Sequence, residues 1–475
     1  MKKSDLHRKK WLFLPIEVKV REFESKVLLS CFAAEEGWGV FIGKNNFNLR
    51  LNGVPKGVYM DKSIAPNKHQ VLSKQASSGN ILVCLDEEGV VYKSEEEFCR
   101  QRLSEENLAI TNKVFAWGHE QCRVMKEFSQ ENQHKFVITG NARMDLLRPE
   151  FRGFFQKKRD RIRDQFGPYV LIPSNFSAPN HACGPNFIVE QFKACGYAEG
   201  EEELALLAER ISYQRRIFES FLEMLPVLSH RFPQINFVVR PHPGDNHEVW
   251  QKSVESLPNV FSVFEGSSTA WIMGAEAIIH NSCTSAVEGS ALGVPIIAYM
   301  PEVDERFEQN IPNPISQRVT DLEQLSGLLE RELKADSREL GGKEKEILDK
   351  HISSLNGAFA CEKIVRALDE LEVVERALPA DFAEKNKRLN LPSIKQLAEK
   401  LISKCSRFSR KNLLQKKYLS SFTKTYSKQK FSGISTEEIN DTISAFKKLS
   451  GKFNQVNAKP VNKDCFLIEN TRSNN

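Results

Sequence analysis

The chain has no apolar run near the roughly 18 residues that a bilayer span requires, so no transmembrane helix is expected in its 475 residues. Its ten cysteines include no C-x-x-C pair and no Cys/His cluster at zinc spacing. Neither a disulfide framework nor a structural metal is therefore expected. Cys31, Cys84 and Cys122 lie in apolar segments, where a small buried thiol is the ordinary reading, and Cys283 is read likewise. The opening "MKKSDLHRKKWLFLPIEVKV" has the basic start of a secretory signal, but its apolar core, Trp11 to Ile16, is short. It also contains Pro15 and is followed at once by Glu17, so it reads as a first strand and the protein as cytoplasmic.

What is present is an ordinary globular composition, 40% hydrophobic and 27% charged with a net charge of +5. That charge is unevenly spread. From Lys385 onward there are 20 Lys and Arg against 6 Asp and Glu, so the preceding part is acidic. This break places a boundary near residue 380. The length exceeds one ordinary core and predicts two domains with an extension.

Up to about residue 375, short apolar runs alternate with amphipathic stretches. "WLFLPI", "WGVFIG", "GVYM", "NILVCL", "KVFAW" and "KFVIT" form a first series of strands, with helices over 22–36 and 118–130. A charged helix over 148–166 follows. A second series comprises "YVLIPS", "INFVVR", "VFSVF", "EAIIH" and "PIIAYM", with helices over 201–230 and from Thr284. Such alternation predicts an α/β fold of mostly parallel, doubly wound sheets. The expected architecture is two Rossmann-like domains facing across a cleft, 1–150 and 151–380, followed by a basic helical, partly disordered extension, 381–475.

Ligands of open α/β sheets bind outside the carboxyl ends of the strands. The polar clusters fall there. "NILVCL" runs into Asp86, Glu87, Glu88 and Gly89, and "KFVIT" into "GNAR". "YVLIP" runs into Ser174 and Asn175, "INFVV" into "RPHPGDN", and "AEAIIH" into "NSCTSAVEG". In the last cluster Ser282, Thr284 and Ser285 approach a helix N-terminus, where free N–H groups and the dipole favour an anion. Glu288 lies one turn on, placed to accept from ribose hydroxyls. The plainer alternative is a simple helix cap.

In "RPHPGDN", Pro241 and Pro243 restrict the backbone on both sides of His242, which follows Arg240. A protonated imidazole so fixed can meet a phosphate and neutralise charge on a departing nucleotide. The plainer alternative is a solvated turn. His247 and His280 are read as an ordinary loop residue and a strand end. The three adjacent carboxylates Asp86, Glu87 and Glu88 would repel one another in a dry cleft, which raises at least one pKa and suits a general base. No D-x-D triplet occurs, which argues against a metal-bridged nucleotide-sugar site.

These motifs, in this order, resemble those of bacterial surface-carbohydrate enzymes of the GT-B glycosyltransferase fold, in particular the CMP-sialic acid and CMP-Kdo transferases. The bacterial sialyltransferases carry an acidic "(D/E)(D/E)G" motif, an "HP" motif and a downstream Ser/Thr pair. Here these correspond to Glu87-Glu88-Gly89, His242-Pro243 and Ser282 to Ser285, with "SCTS" interrupting the hydroxyl pair. The resemblance implies Glu87 as base, with Asp86 and Glu88 as lesser candidates. It implies that His242 assists the departing CMP and that Ser282, Thr284 and Ser285 grip its phosphate. "TGNARMDLL" with "RPHP" is also similar to UDP-GlcNAc 2-epimerases and CDP-glycerol glycerophosphotransferases. The implied function is metal-independent transfer of an acidic sugar from a CMP-linked donor to a surface polysaccharide or lipid-linked glycan. A UDP-GlcNAc 2-epimerase-like or CDP-glycerol glycerophosphotransferase-like enzyme is the alternative, and a non-catalytic scaffold of a polysaccharide assembly complex the second. No cofactor is expected beyond the nucleotide sugar itself.

In the extension, 393–422 places Ile394, Leu397, Leu401, Cys405 and Phe408 on one helical stripe, opposite a face rich in Lys and Arg. Such a helix suits peripheral contact with the cytoplasmic face of an anionic inner membrane. A packed helix with a solvated basic face is the plainer alternative. No aromatic-interleaved nucleic-acid module is visible, so no nucleic-acid partner is expected.

Overall fold

The computed structural model describes residues 8–45, 47–198, 200–335, 341–387, 431–463 and 465–471. Arg8–Lys9 (β1) makes a short antiparallel pair with Arg376–Ala377 (β14). The first half is built on β2 (Trp11–Ile16), β3 (Gly39–Lys44), β4 (Val58–Asp61), β5 (Ile81–Leu85), β6 (Lys113–Ala116) and β7 (Phe136–Ile138). These six run parallel in the order β3-β2-β4-β5-β6-β7. Every residue of β2 and β4 is buried, as expected of apolar strands covered on both faces.

The second half uses β8 (Tyr169–Pro173), β9 (Asn236–Arg240), β10 (Val260–Ser262), β11 (Ala277–His280), β12 (Ile296–Tyr299) and β13 (Gln317–Val319). Their order is β10-β9-β8-β11-β12-β13, all parallel. This is the doubly wound arrangement, in which the chain starts at the centre, works to one edge, then returns to fill the other. The crevice where the winding reverses lies between β8 and β11. In the first sheet it lies between β2 and β4. The two Rossmann-like domains of a GT-B-like fold, expected from the strand rhythm, are present.

Two boundaries differ from expectation. Residues 151–380 do not all belong to the second domain, because the chain recrosses near residue 341. The Gly342–His351 helix packs on the His119–Phe128 helix, and the Ala360–Asp369 helix packs on the Lys19–Glu35 helix. Buried Asp145 fastens this return by accepting 2.8 Å hydrogen bonds from the Ala360 and Cys361 amides.

The second correction concerns the extension, which is not merely a helical or partly disordered appendage. Within it, the Thr436–Ser450 helix is followed by the hairpin β15 (Val456–Asn462) and β16 (Cys465–Asn470). β16 pairs antiparallel with β3, so the first sheet has eight strands. Ile439, Ile443 and Phe446 of this helix enter the same core as Leu28 and Phe32. The stripe expected over 393–422 lies outside the described residues. Among the described residues, no helix is long and apolar enough to cross a membrane.

The two halves meet through an apolar cluster. Val90, Trp117 and Met144 from the first half pack with Val287, Ile311 and Ile315 from the second. This contact holds the carboxyl edges of the two sheets toward each other.

Candidate functional site

A solvent-open hollow lies between the halves. The second domain contributes Ser174, Arg240, His242, Pro243, Thr284 and Ser285 to its wall. Val18, Arg21 and Arg143 of the first domain line the opposite side. Of the predicted residues, Ser174, Arg240, His242, Pro243, Thr284, Ser285 and Glu288 are brought together at this crevice, the place doubly wound sheets use for ligands.

Arg240 closes β9 and lays its guanidinium 5.1 Å from the centre of the Trp271 ring. It donates to the main-chain carbonyls of Glu265 at 2.7 Å and Gly266 at 3.2 Å. Burial pulls its pKa down to about 10, still high enough to keep the cation at neutral pH. Among the described residues no carboxylate forms an ion pair with it. A charge so placed favours an anion in the hollow.

His242 is held by its own loop. Its Nδ1 is 2.8 Å from the Ser177 hydroxyl and accepts from the Gly244 amide at 3.1 Å. Ser177 also donates to Asp245 at 2.7 Å, and Ser174 donates to Asp245 at 2.5 Å. Asp245 is fully buried and also accepts from Trp250 Nε1 and the His242 amide. Ser174 thus stands in the wall with its hydroxyl committed to Asp245.

The hydroxyl loop divides by role. Thr284 is exposed, and Ser285 opens the Ser285–Ala291 helix beside it. Ser282 adopts a left-handed φ of 51°, and Asn313 bonds both its amide, at 3.0 Å, and its hydroxyl, at 3.1 Å. Asn175 donates to the Ser282 carbonyl at 2.8 Å. Ser282 and Asn175 therefore shape the loop rather than face the hollow, contrary to their expected nucleotide contacts. Cys283 is buried, and burial raises its thiol pKa, which keeps it protonated. Glu288 lines the hollow, but its carboxylate is taken by Arg143 from across the cleft.

The three carboxylates of the acidic motif also part ways. Asp86 makes a two-pronged ion pair with Arg102 and caps the Glu88 amide at 2.9 Å. Glu88 is half-exposed. Burial opposes its charge, but Arg21 at 2.5 Å and Arg102 at 3.4 Å hold its carboxyl well below the usual range. Glu87 is buried, and burial raises its pKa against the opposing pull of Lys26, 3.9 Å away. Asn141 donates to it at 3.4 Å. Glu87 thus has the raised affinity for a proton that a general base uses. Gly89 serves packing: a Cβ there would collide with the Gln121 side-chain amide.

Glu87 does not line the large hollow. It lines a separate, nearly filled crevice with Lys26, Asp61, Lys62 and Asn141, at the reversal point of the first sheet. Arg143 joins the two regions. It donates to the Glu87 carbonyl at 3.4 Å and pairs with Glu288.

Sequence reasoning missed Arg143, Arg21, Lys26, Ser177 and Asp245. Arg143 stands in "GNAR", a strand-end cluster noted for position, and Asp245 in "PGDN", which reads as a turn. Ser177 stands in the cluster "SNFSAPN" that follows β8, and Arg21 and Lys26 sit in a helix with no motif around them. His280 is an ordinary strand end, as expected. It is buried with its pKa lowered by burial to about 3, and it lies 2.8 Å from the Ser316 hydroxyl. Among the described residues, no cluster of His, Cys, Asp and Glu could hold a metal ion.

No protein-family model matches the sequence, and no curated protein matches it. Among solved structures, the chain is similar to a UDP-GlcNAc 2-epimerase from Neisseria meningitidis bound to UDP-GlcNAc. That match has 10% identity and a TM-score of 0.46 over 76% of this chain and 100% of the other. A UDP-GlcNAc 2-epimerase from Methanocaldococcus jannaschii matches at 12% identity and 0.45 over 76% and 100%. The wall teichoic acid polymerase TagF matches at 10% and 0.45 over 76% and 88%. Values this low define no substrate for this chain.

Proposed function

We propose that this protein is a metal-independent transferase that moves a sugar from a nucleotide-linked donor to a hydroxyl of a glycan acceptor. The observation that carries this reading is the meeting of Arg240, His242, Thr284 and Ser285 with Arg21 and Arg143 around one interdomain hollow. Cations and hydroxyls converging at a doubly wound crevice suit the phosphate of a nucleotide.

In this reading the donor phosphate sits against His242 and Arg240, with Thr284 and Ser285 beside it. Glu87 takes the proton from the acceptor hydroxyl as that oxygen attacks the sugar. The sugar–phosphate bond breaks, and the cations stabilise the charge that passes to the nucleotide. A CMP-linked acidic sugar is the donor implied by the acidic, "HP" and hydroxyl motifs. A surface polysaccharide or lipid-linked glycan is the acceptor they imply.

Thermal denaturation with CMP, UDP and CDP, and with a sugar-linked form of each, tests the proposal. A ligand at a hundredfold excess over Kd stabilises by about 2.7 kcal/mol. The proposal expects a rise with one nucleotide family, CMP first. A rise with UDP forms alone, together with sugar isomerisation and no transfer, would assign the epimerase reading instead. No rise with any nucleotide is the behaviour of a scaffold.

A further inference from the structure

The least expected feature of the cleft wall lies behind His242. Gly244 N–H points at Nδ1, so the neutral ring carries its proton on Nε2. The ring becomes a cation only when Nδ1 also gains a proton. That N–H then needs an acceptor, and the Gly244 amide cannot serve. The Ser177 oxygen, 2.8 Å away, can, because its own hydrogen has a separate acceptor in Asp245 at 2.7 Å.

We propose that Ser177 and Asp245 are positioning residues that enable His242 to carry a positive charge toward an anion in the cleft. Asp245 acts through Ser177. Its carboxylate keeps the serine hydrogen turned away from the ring, so that the serine oxygen accepts from protonated Nδ1. The same carboxylate accepts from Ser174, Trp250 Nε1 and the His242 amide, which fixes the loop around the imidazole. A fully buried carboxylate with donors on both oxygens is a rigid acceptor rather than a solvated turn residue.

Other charged and titratable groups surround this loop. Arg240 shares the hollow and opposes a second cation. Arg21 and Arg143 face it from the first domain, with Glu288 held by Arg143. His247 meets the His242 carbonyl through Nε2 at 3.0 Å, and His181 bridges to Asp245 through the main chain. Arg21 and Arg143 are paired with Glu88 and Glu288, so Arg240 is the cation that opposes a charge on His242 most directly. Asp245, relayed by Ser177, is the carboxylate placed to offset it.

The inference rests on the nucleotide reading only for the identity of the anion. Its test therefore uses the full-length protein without nucleotide, followed by CMP, UDP and CDP as separate arms. Carbon-13-labelled histidine, with the His242 signal assigned from its loss in His242→Gln, gives the titration midpoint and tautomer directly. The neutral ring should hold its proton on Nε2. Ser177→Ala should lower the midpoint by roughly one pH unit, since a hydrogen bond to the charged form is lost. Ser177→Thr, which keeps the hydroxyl, should restore it. Asp245→Asn should lower it as well, and an unchanged amide spectrum in Ser177→Ala shows that the fold persists. An unchanged midpoint in Ser177→Ala, or a neutral ring protonated on Nδ1, overturns the proposal. If CMP, UDP and CDP each leave the His242 signal untouched while the Ser177 effect stands, the relay is upheld and the nucleotide reading fails.

Discussion

Arg143 of the first domain and Glu288 of the second form an ion pair across the cleft, with side chains 15% and 7% exposed. The arginine follows β7, and the glutamate lies one turn into the helix that opens at Ser285. Because Arg143 also touches the Glu87 carbonyl, the pair connects the acidic motif to the hydroxyl loop. Each partner leaves a buried charge behind if the other is removed. Arg143→Ala should therefore destabilise the protein by about 3 kcal/mol, and adding Glu288→Gln should recover part of that loss. Urea unfolding of the two single variants and the double variant measures both. Additive losses would mean that the pair has no coupling.

The acidic motif should separate chemically in the way it separates structurally. Glu87→Gln should lower turnover about 100-fold with little change in melting temperature. Asp86→Asn should instead lower stability by about 1–3 kcal/mol, since it leaves Arg102 without its two-pronged partner. Turnover and thermal melts on both variants decide. A stable, fully active Glu87→Gln removes that residue from the base role.

The pH profile follows from the same surroundings. A general base works only when deprotonated, and burial raises Glu87, so the acid limb of the rate should lie above the ordinary glutamate value of 4.5. Lys26 opposes that shift. Lys26→Met should move the limb to still higher pH, as a pH–rate series on both proteins would show. A limb that stays in place, or moves down, contradicts the assignment.

Most of the architecture was legible because parallel strands buried on both faces are near-continuous apolar runs. The stretch "YVLIPS" marks β8 almost to the residue, and "INFVVR" marks β9. The strand-end rule led to Arg240, His242 and Thr284, at or just past the ends of such runs, and all three line the interdomain hollow. The C-terminal hairpin was hidden for the opposite reason. "VNAKPVN" is an edge strand with Lys459 and Pro460, the composition that sheet edges use against mispairing, and it reads as a polar tail. The partners of each motif residue were not legible either. Nothing near Ser282 announces that Asn313, 31 residues on, would claim its hydroxyl. Nor does a helix position such as Lys26 reveal that it will lie beside Glu87.

The hairpin has a consequence for tests of the basic segment. Removing residues 385–475 would also remove β16 from β3 and strip Phe446 and Ile443 from the first core. Such a truncation should be insoluble rather than released from a membrane. Replacing the Lys and Arg residues within 393–422 by Gln leaves the hairpin intact. If that segment binds anionic lipid, co-sedimentation with phosphatidylserine vesicles should fall with these substitutions and with added salt. Unchanged sedimentation would remove the membrane role.

The central claim is that the interdomain hollow is a nucleotide site built on Arg240 and His242. Isothermal titration calorimetry of CMP, UDP and CDP into the native protein and into Arg240→Ala and His242→Ala tests it most directly. The account predicts saturable binding of at least one nucleotide by the native protein, weakened tenfold or more in each variant, on the scale of a lost charge-assisted contact. Binding of equal strength in all three proteins, or heat from none of the nucleotides, would contradict it.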